Sequence, residues 1–321
     1  MKKKWWIIGG ILFAFLLVAA LVALGLTVLM LSGEETPSLS MKKVAVIEIV
    51  GPIYNSAPYI DLLHKYKDSS TVKAIVLRMD SPGGSVGASQ EIYQEVKKLR
   101  KNGKIIVTSM ADVGASGAYY VACASNEIVA NPGTLTGSIG VVMEMFNIEG
   151  LSNKIGLQFN TIKSGQFKDT GSMTRQMTKE EQAYLQELID SVQKQFCGVV
   201  IENRKEAVRK IILAKKKTQA DLPLAQRIAV SNEEIETYIK QLANGKVYSG
   251  EQAKEFGLID SLGNLETAID RAAKLAGIQG EPSVVTSRPR FKSFFESLLG
   301  DFSQIITPLK RNGISLQYIL K

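Results

Sequence analysis

The sequence predicts an α/β domain with a mostly parallel sheet, carried behind one N-terminal transmembrane helix. The first observation is a run from Trp5 to Ser32 that holds no charged residue. The second is an alternation of short apolar, β-branched runs with amphipathic helical patterns from Lys43 onward. Strands that alternate with helices favour parallel pairing through right-handed crossovers. The two patterns divide the chain into an anchor and a working domain.

The apolar run is long enough to cross a membrane. At about 1.5 Å per residue, Trp5–Ser32 exceeds the roughly 30 Å of a bilayer core. A cleavable signal peptide is the alternative, but its apolar region spans only about 7–15 residues before a small-residue cleavage site. Lysines 2–4 should stay in the cytoplasm under the positive-inside rule. We therefore predict a single-pass protein of the cell membrane, with a cytoplasmic N-terminus and an extracytoplasmic working domain.

The domain boundaries follow from changes in composition. We predict an anchor over residues 1–33, a polar linker over 34–42, the α/β domain over 43–280 and an amphipathic tail over 281–321. The tail either packs on its own domain or a neighbouring subunit, or lies on the membrane surface. Its apolar residues recur at helical spacing: Phe291, Phe294, Phe295, Leu298, Leu299, Phe302, Ile305 and Ile306.

Each element of the α/β domain has its own local pattern. Short apolar runs predict buried strands, and apolar residues on one side of a polar segment predict helices. The predicted strands are Val44–Val50, Ala74–Met79, Lys104–Ser109 and Glu127–Ala130. The predicted helices are Ala88–Arg100, a long one from Thr178 to about Lys217, and two within Ser249–Leu275.

Composition excludes several classes of protein. The formal charge is +8, but Lys and Arg are dispersed and not gathered into an arm, so nucleic-acid binding has little support. Cys123 and Cys197 are the only cysteines and both stand in apolar helical patterns, which favours buried small side chains over a disulfide framework. We find no pattern for a metal site and predict no cofactor.

Ser116 is the first candidate for chemistry. It lies in the segment Gly-Ala-Ser-Gly-Ala between a predicted strand and a helix, where backbone N–H groups and the helix dipole favour negative charge. A plain helix N-cap is the alternative. The only histidine, His64, stands in a helical pattern remote from this segment, and nothing in the spacing links it to a nucleophile, so we do not predict a Ser-His-Asp triad.

Two further segments could complete an acyl-transfer site. Gly83 and Gly84 follow a predicted strand and could present N–H groups to an oxyanion, although an ordinary turn is also open. Lys163 ends an apolar run, which predicts a strand terminus where burial keeps an amine neutral and therefore basic. A solvated surface lysine is the alternative for Lys163. Lys168 is its rival as the base, and Ser138 offers a hydroxyl to hold the amine.

These segments, in this order, resemble the signal peptide peptidase A family of membrane serine peptidases, which is related to the Clp protease and crotonase fold. The resemblance covers roughly Val44 to Ala276. The motifs are Asp80-Ser81-Pro82-Gly83-Gly84, Ala115-Ser116-Gly117-Ala118-Tyr119-Tyr120, Leu135-Thr136-Gly137-Ser138-Ile139-Gly140, Lys163-Ser164-Gly165-Gln166-Phe167-Lys168-Asp169 and Gly245-Lys246-Val247-Tyr248-Ser249-Gly250.

The resemblance implies a Ser-Lys dyad, with Ser116 as nucleophile, Lys163 as general base and Ser138 as its orienting group. It implies an oxyanion hole from Gly83, Gly84 and the N–H of Ser116 or Gly117. It further implies that the substrates are signal peptides left in the membrane after cleavage, together with other exported peptides. Like short members of the family, the chain should form a homo-oligomeric ring, and we expect this ring to contain eight subunits.

Two departures from the family pattern leave the dyad untouched. The stretch Ile201–Ala243 is longer and more basic than expected, and Gly171-Ser172-Met173 lacks the proline that relatives show. Two other functions stay open at this point, because a fold does not fix a function. One is a coenzyme A thioester enzyme of the crotonase type, which an extracytoplasmic location opposes. The other is a catalytically silent oligomeric membrane scaffold.

Overall fold

The computed structural model describes residues 42–218 and 229–289, together with the backbone of residues 317–319. The predicted membrane helix over 5–32 and the predicted amphipathic helix over 291–306 lie outside the described residues. None of the helices in the described part of the chain combines the length and the apolar character that a membrane span requires.

The described part of the chain alternates strands and helices, as the sequence predicts. The strands are β1 (Lys43–Val50), β2 (Val72–Ser81), β3 (Gly83–Ser85), β4 (Ile105–Ala115), β5 (Glu127–Ala130), β6 (Leu135–Gly137), β7 (Val247–Ser249), β8 (Ser261–Leu262), β9 (Ser283–Ser287) and β10 (Gln317–Ile319). The helices are α1 (Ala57–Lys67), α2 (Val86–Lys101), α3 (Gly117–Ala122), α4 (Glu149–Lys154), α5 (Lys179–Thr218), α6 (Asn232–Leu242), α7 (Gly250–Glu255) and α8 (Leu265–Leu275).

The main sheet is mostly parallel, which confirms the predicted α/β class. Its order is β7-β6-β4-β2-β1-β9, and β5 joins β4 to the short β8. The β6–β7 pair is antiparallel, whereas the other pairs of this sheet are parallel. Strands β1, β2 and β4 occupy its middle and are apolar on both faces, as parallel strands covered by helices should be.

Helices cover both faces of the sheet. On one face, Val44 and Val46 of β1 pack with Ala268 and Ala272 of α8. On the other face, alternate β1 residues such as Ile47 and Ile49 belong to the larger core shared with α1, α2, α3 and α5. The period of two along the strand places successive side chains on opposite faces. Because both faces are buried, the carboxyl ends of the central strands are held rigidly.

Helix α5 accounts for part of the long basic stretch from Ile201. The Arg204 side chain is buried, donates to the carbonyl of Gly257 at 3.0 Å and forms an ion pair with Asp260 at 2.8 Å. Val208, one turn further, is fully buried in the main core. A buried ion pair with these hydrogen bonds fixes the helix to the loop before β8. The first part of this stretch therefore packs against the domain.

Candidate active site

Ser116 occupies a strained junction between β4, which ends at Ala115, and α3, which begins at Gly117. Its backbone has φ 54° and ψ −116°, which is uncommon for a residue with a side chain. The strain is held by two hydrogen bonds: Ser116 N–H donates to the Gly137 carbonyl at 2.9 Å, and Tyr120 N–H donates to the Ser116 carbonyl at 2.8 Å. Backbone strain of this kind clusters at functional sites.

The hydroxyl of Ser116 is buried and has no hydrogen-bond partner within the described structure. It makes no capping hydrogen bond to α3, so the helix-cap alternative does not explain the serine. An unpaired buried hydroxyl costs about 1–3 kcal/mol. The Ser116 hydroxyl is therefore available to interact with a bound ligand.

Ser138 lies beside Ser116. In the parallel pairing of β4 with β6, Ala115 stands opposite Gly137, so each serine directly follows one member of the pair. Ser138 also has a positive φ, 49°, and its N–H donates to the Lys246 carbonyl at 2.8 Å. The structure thus brings together two serines that the sequence separates by the whole α3–β5 connection.

Gly83 and Gly84 form the short strand β3, which contacts the helix that follows Ser116. A Cβ atom on Gly84 would lie 2.3 Å from the Ile53 carbonyl oxygen, so only glycine fits here. Ile53 N–H donates to the Gly83 carbonyl at 2.7 Å, and Ser85 N–H donates to the Ile53 carbonyl at 2.8 Å. The backbone of β3 is therefore fixed next to the nucleophile segment.

The predicted set of oxyanion donors can be narrowed. The N–H of Ser116 is engaged by Gly137, which leaves Gly117 as the donor of that segment. Gly117 is the first residue of α3, and a first-turn N–H has no acceptor within its own helix. Gly83 N–H donates to the Ser81 hydroxyl at 3.2 Å, a long bond that another acceptor can replace.

The C-terminal strand β10 runs along the same edge. It pairs antiparallel with β3, with Gln317 opposite Ser85, Tyr318 opposite Gly84 and Ile319 opposite Gly83. It also contacts α2 and α3. A stretch of extended backbone therefore lies beside the glycines and the helix that begins after Ser116.

The prediction that Lys163 is buried at a strand terminus is wrong. Residues 157–163 form no strand, Lys163 is exposed and the neighbouring Ile162 side chain is fully exposed. Within the described chain this segment pairs with no strand, so its apolar residues have no sheet face to bury against.

Lys163 Nζ lies 2.6 Å from the Asp169 carboxylate and donates to the Gln166 carbonyl at 3.0 Å. It contacts neither Ser116 nor Ser138. The rival Lys168 is exposed as well.

A network of charges that the sequence analysis missed surrounds Lys163. Arg175 donates two hydrogen bonds to the Asp169 carboxylate, from Nε at 2.9 Å and from Nη2 at 2.8 Å. It also binds Glu181, whose side chain is only 1% exposed, from Nη1 at 2.9 Å. The Arg175 guanidinium, and then the Lys163 ammonium, hold the pKa of Asp169 well below its usual range. Arg175 likewise lowers the pKa of Glu181 to about 2.

The residues set aside by the sequence analysis are also accounted for. His64 lies in α1, and its Nε2 contacts Glu95 at 3.0 Å, so it is not placed to act on Ser116. Cys123 is a buried free thiol, and burial raises its pKa to about 12, which makes it unreactive. Among the described residues, no three His, Cys, Asp or Glu side chains are grouped to hold a metal ion.

Comparison with known proteins places the chain among peptidases. The model of peptidase family S49 matches residues 98–221 and 224–279. Protein slr0021 of Synechocystis sp., named as a protease, is 36% identical over 85% of this chain and 89% of its own length. A protein of Enterococcus faecium, named after signal peptide peptidase SppA, is 29% identical over 94% of this chain and 89% of its own length.

A solved structure, the 1510-N membrane-bound stomatin-specific protease, aligns with 78% of this chain and all of its own length, with a TM-score of 0.44 and 16% identity. The matched family segments include α5, β7, α7, β8 and α8, together with the Ser116, Ser138 and Lys163 segments. The chain therefore belongs to peptidase family S49, a family of serine peptidases.

Proposed function

We propose that the chain is a membrane-anchored serine endopeptidase that works with a Ser-Lys dyad outside the cytoplasm. Ser116 is the nucleophile, Lys163 the general base and Ser138 the group that orients the amine. The observation that carries the proposal is the Ser116 hydroxyl, which is buried, unpaired, held on a strained backbone and adjacent to Ser138. No other described serine combines these features with a neighbouring glycine strand.

The chemistry follows from these positions. Ser116 attacks the peptide carbonyl while its proton passes to the neutral Lys163 amine, which then protonates the leaving amine. The oxyanion is stabilised by the N–H of Gly117 together with the N–H groups of Gly83 and Gly84. A water that Lys163 activates releases the acyl group from Ser116.

The base reaches Ser116 from a neighbouring subunit. Within one subunit Lys163 is paired with Asp169 and does not touch either serine. The segment around it exposes an unusual number of large apolar side chains, which favours burial against another copy of the chain. They are Phe146, Leu151, Ile155, Leu157, Phe159 and Ile162. A homo-oligomeric ring, which we take as octameric, would bury this segment and bring Lys163 to the serines of the next subunit.

The substrate binds as an added strand. The antiparallel pairing of β10 with β3, beside the proposed oxyanion glycines, supports this binding mode for an extended peptide. Signal peptides remaining in the membrane are apolar peptides, and the anchor over residues 5–32 would hold the enzyme at the same membrane. The name of the Enterococcus relative refers to the same activity.

The proposal is tested with full-length protein in detergent micelles and a fluorogenic hydrophobic peptide. Ser116→Ala and Lys163→Ala should each lower kcat/KM by at least about 10³-fold, because nucleophile and base act as one unit. Lys168→Ala is the matched control and should keep activity close to that of the wild type. Circular dichroism checks folding. Substantial cleavage by either dyad variant would rule out the Ser-Lys mechanism.

The chain's own C-terminus should compete with substrate for β3. Deletion of residues 317–321 is expected to raise kcat/KM by roughly tenfold, chiefly through a lower KM, because a tethered competitor acts at millimolar effective concentration. A synthetic peptide with the sequence of residues 314–321 should then inhibit the truncated enzyme. Steady-state kinetics on both proteins measures the effect. An unchanged KM after truncation would show that β10 does not occupy the substrate edge in solution.

A further inference from the structure

The ion pair between Lys163 and Asp169 conflicts with the role of Lys163 as a base. A general base must be neutral, whereas an opposite charge at hydrogen-bond distance favours the charged form of an ionisable group. The Lys163–Asp169 contact, at 2.6 Å, is of this kind. Lys163 must leave Asp169 before it can accept a proton from Ser116.

Asp169 is built to keep this contact. Its carboxylate accepts two hydrogen bonds from the planar guanidinium of Arg175, and the same guanidinium donates to Glu181. Glu181 accepts from Thr178 N–H at 2.9 Å at the start of α5, so the network is fastened to the longest helix. Bidentate Arg–carboxylate pairs are directional and strong for their size. The position of Asp169 is therefore fixed independently of Lys163.

The carboxylate of Asp169 remains charged at neutral and mildly acidic pH, because Arg175 and Lys163 lower its pKa. The charged groups that contact Lys163 or Asp169 in the described structure are Arg175 and, through it, Glu181. The pairing therefore ends only when the lysine moves away from Asp169.

We propose that Asp169, held by Arg175, is a positioning residue that stores Lys163 in an inactive place until the site is assembled. When another subunit packs over Lys163, the lysine leaves Asp169 and contacts Ser116 and Ser138 of that subunit. Release of Lys163 from Asp169 is thereby coupled to assembly of the shared site. This inference rests on the proposed role of Lys163 as the base.

The test is Asp169→Asn in the full chain, which keeps the size of the side chain and removes its charge. At pH 7 its kcat/KM should rise about two- to fivefold over the wild type, the range expected for loss of a partly exposed ion pair. In about 1 M salt at pH 7 the gain should shrink towards unity, because salt screens the partly exposed ion pair of the wild type. A purely structural role of Asp169 would instead lower activity at both salt concentrations.

Two further variants complete the test. Asp169→Glu keeps the charge and should behave like the wild type at both salt concentrations. Glu180→Gln removes an exposed carboxylate one residue before Glu181 and controls for a general change in charge. Equal or lower activity of Asp169→Asn at pH 7 would overturn the inference. Full activity of Lys163→Ala would instead overturn the dyad itself, so the two failures are distinguishable.

Discussion

Two inactive variants should restore each other when their subunits are combined. If Lys163 serves the Ser116 of a neighbouring subunit, co-expression of Ser116→Ala with Lys163→Ala yields interfaces that pair an intact serine with an intact lysine. Random assembly of equal amounts gives such an interface at about a quarter of the sites. We expect about a quarter of the wild-type activity from a mixture whose components are each inactive. The physical reason is that Lys163 is exposed and does not contact the serines in its own subunit.

The matched control combines wild-type subunits with the Ser116→Ala/Lys163→Ala double variant in equal amounts. A dyad shared between subunits again gives about a quarter of the activity, whereas a dyad within one subunit gives about a half. A dyad within one subunit also leaves the first mixture inactive. Activity is measured as the rate of peptide cleavage per subunit, after size-exclusion chromatography has shown that the mixed assemblies are of equal size. An inactive first mixture would contradict the shared site.

Gly84→Ala should lower kcat/KM by about 10²–10³-fold, the range seen on loss of one oxyanion donor. The added Cβ would meet the carbonyl oxygen of Ile53 at 2.3 Å and its backbone carbon and nitrogen at 2.7 Å. Backbone atoms cannot move aside as a flexible side chain can, so β3 must shift. The shift displaces both the oxyanion donors and the edge on which a peptide would pair.

Gly87→Ala is the matched control for this substitution. Gly87 lies three residues further on, within α2, and a Cβ there would have no neighbour within 4 Å. Alanine is the better helix former, so this variant should be as stable as the wild type or slightly more stable. Peptide kinetics and thermal unfolding of both variants separate the local effect from a general loss of folding. More than a tenth of the wild-type activity in a folded Gly84→Ala protein would argue against the proposed oxyanion strand.

Much of the architecture was determined by the sequence. Short apolar, β-branched runs predicted β1, β2, β4 and β5, and a long helical pattern with many charges predicted α5 almost to the residue. Each of these elements buries a continuous face, so the positions of its apolar residues in the sequence directly reflect which residues are buried. The short strands β3, β6 and β8 contain only two or three residues each, which is too few for a pattern of apolar residues to indicate a strand. They are recognised only by their pairing with neighbouring strands.

The candidate site divides along the same line. Glycine-rich segments at strand ends marked Ser116, Gly83 and Gly84, because a tight turn restricts which residues can occupy it. The local sequence could not show that Ser138 lies beside Ser116, since their closeness depends on the register of β4 with β6. The local sequence also predicted the wrong environment for Lys163. An apolar run indicates burial, but it does not show against which surface its residues are buried. In the tertiary structure Lys163 is exposed and pairs with Asp169 instead.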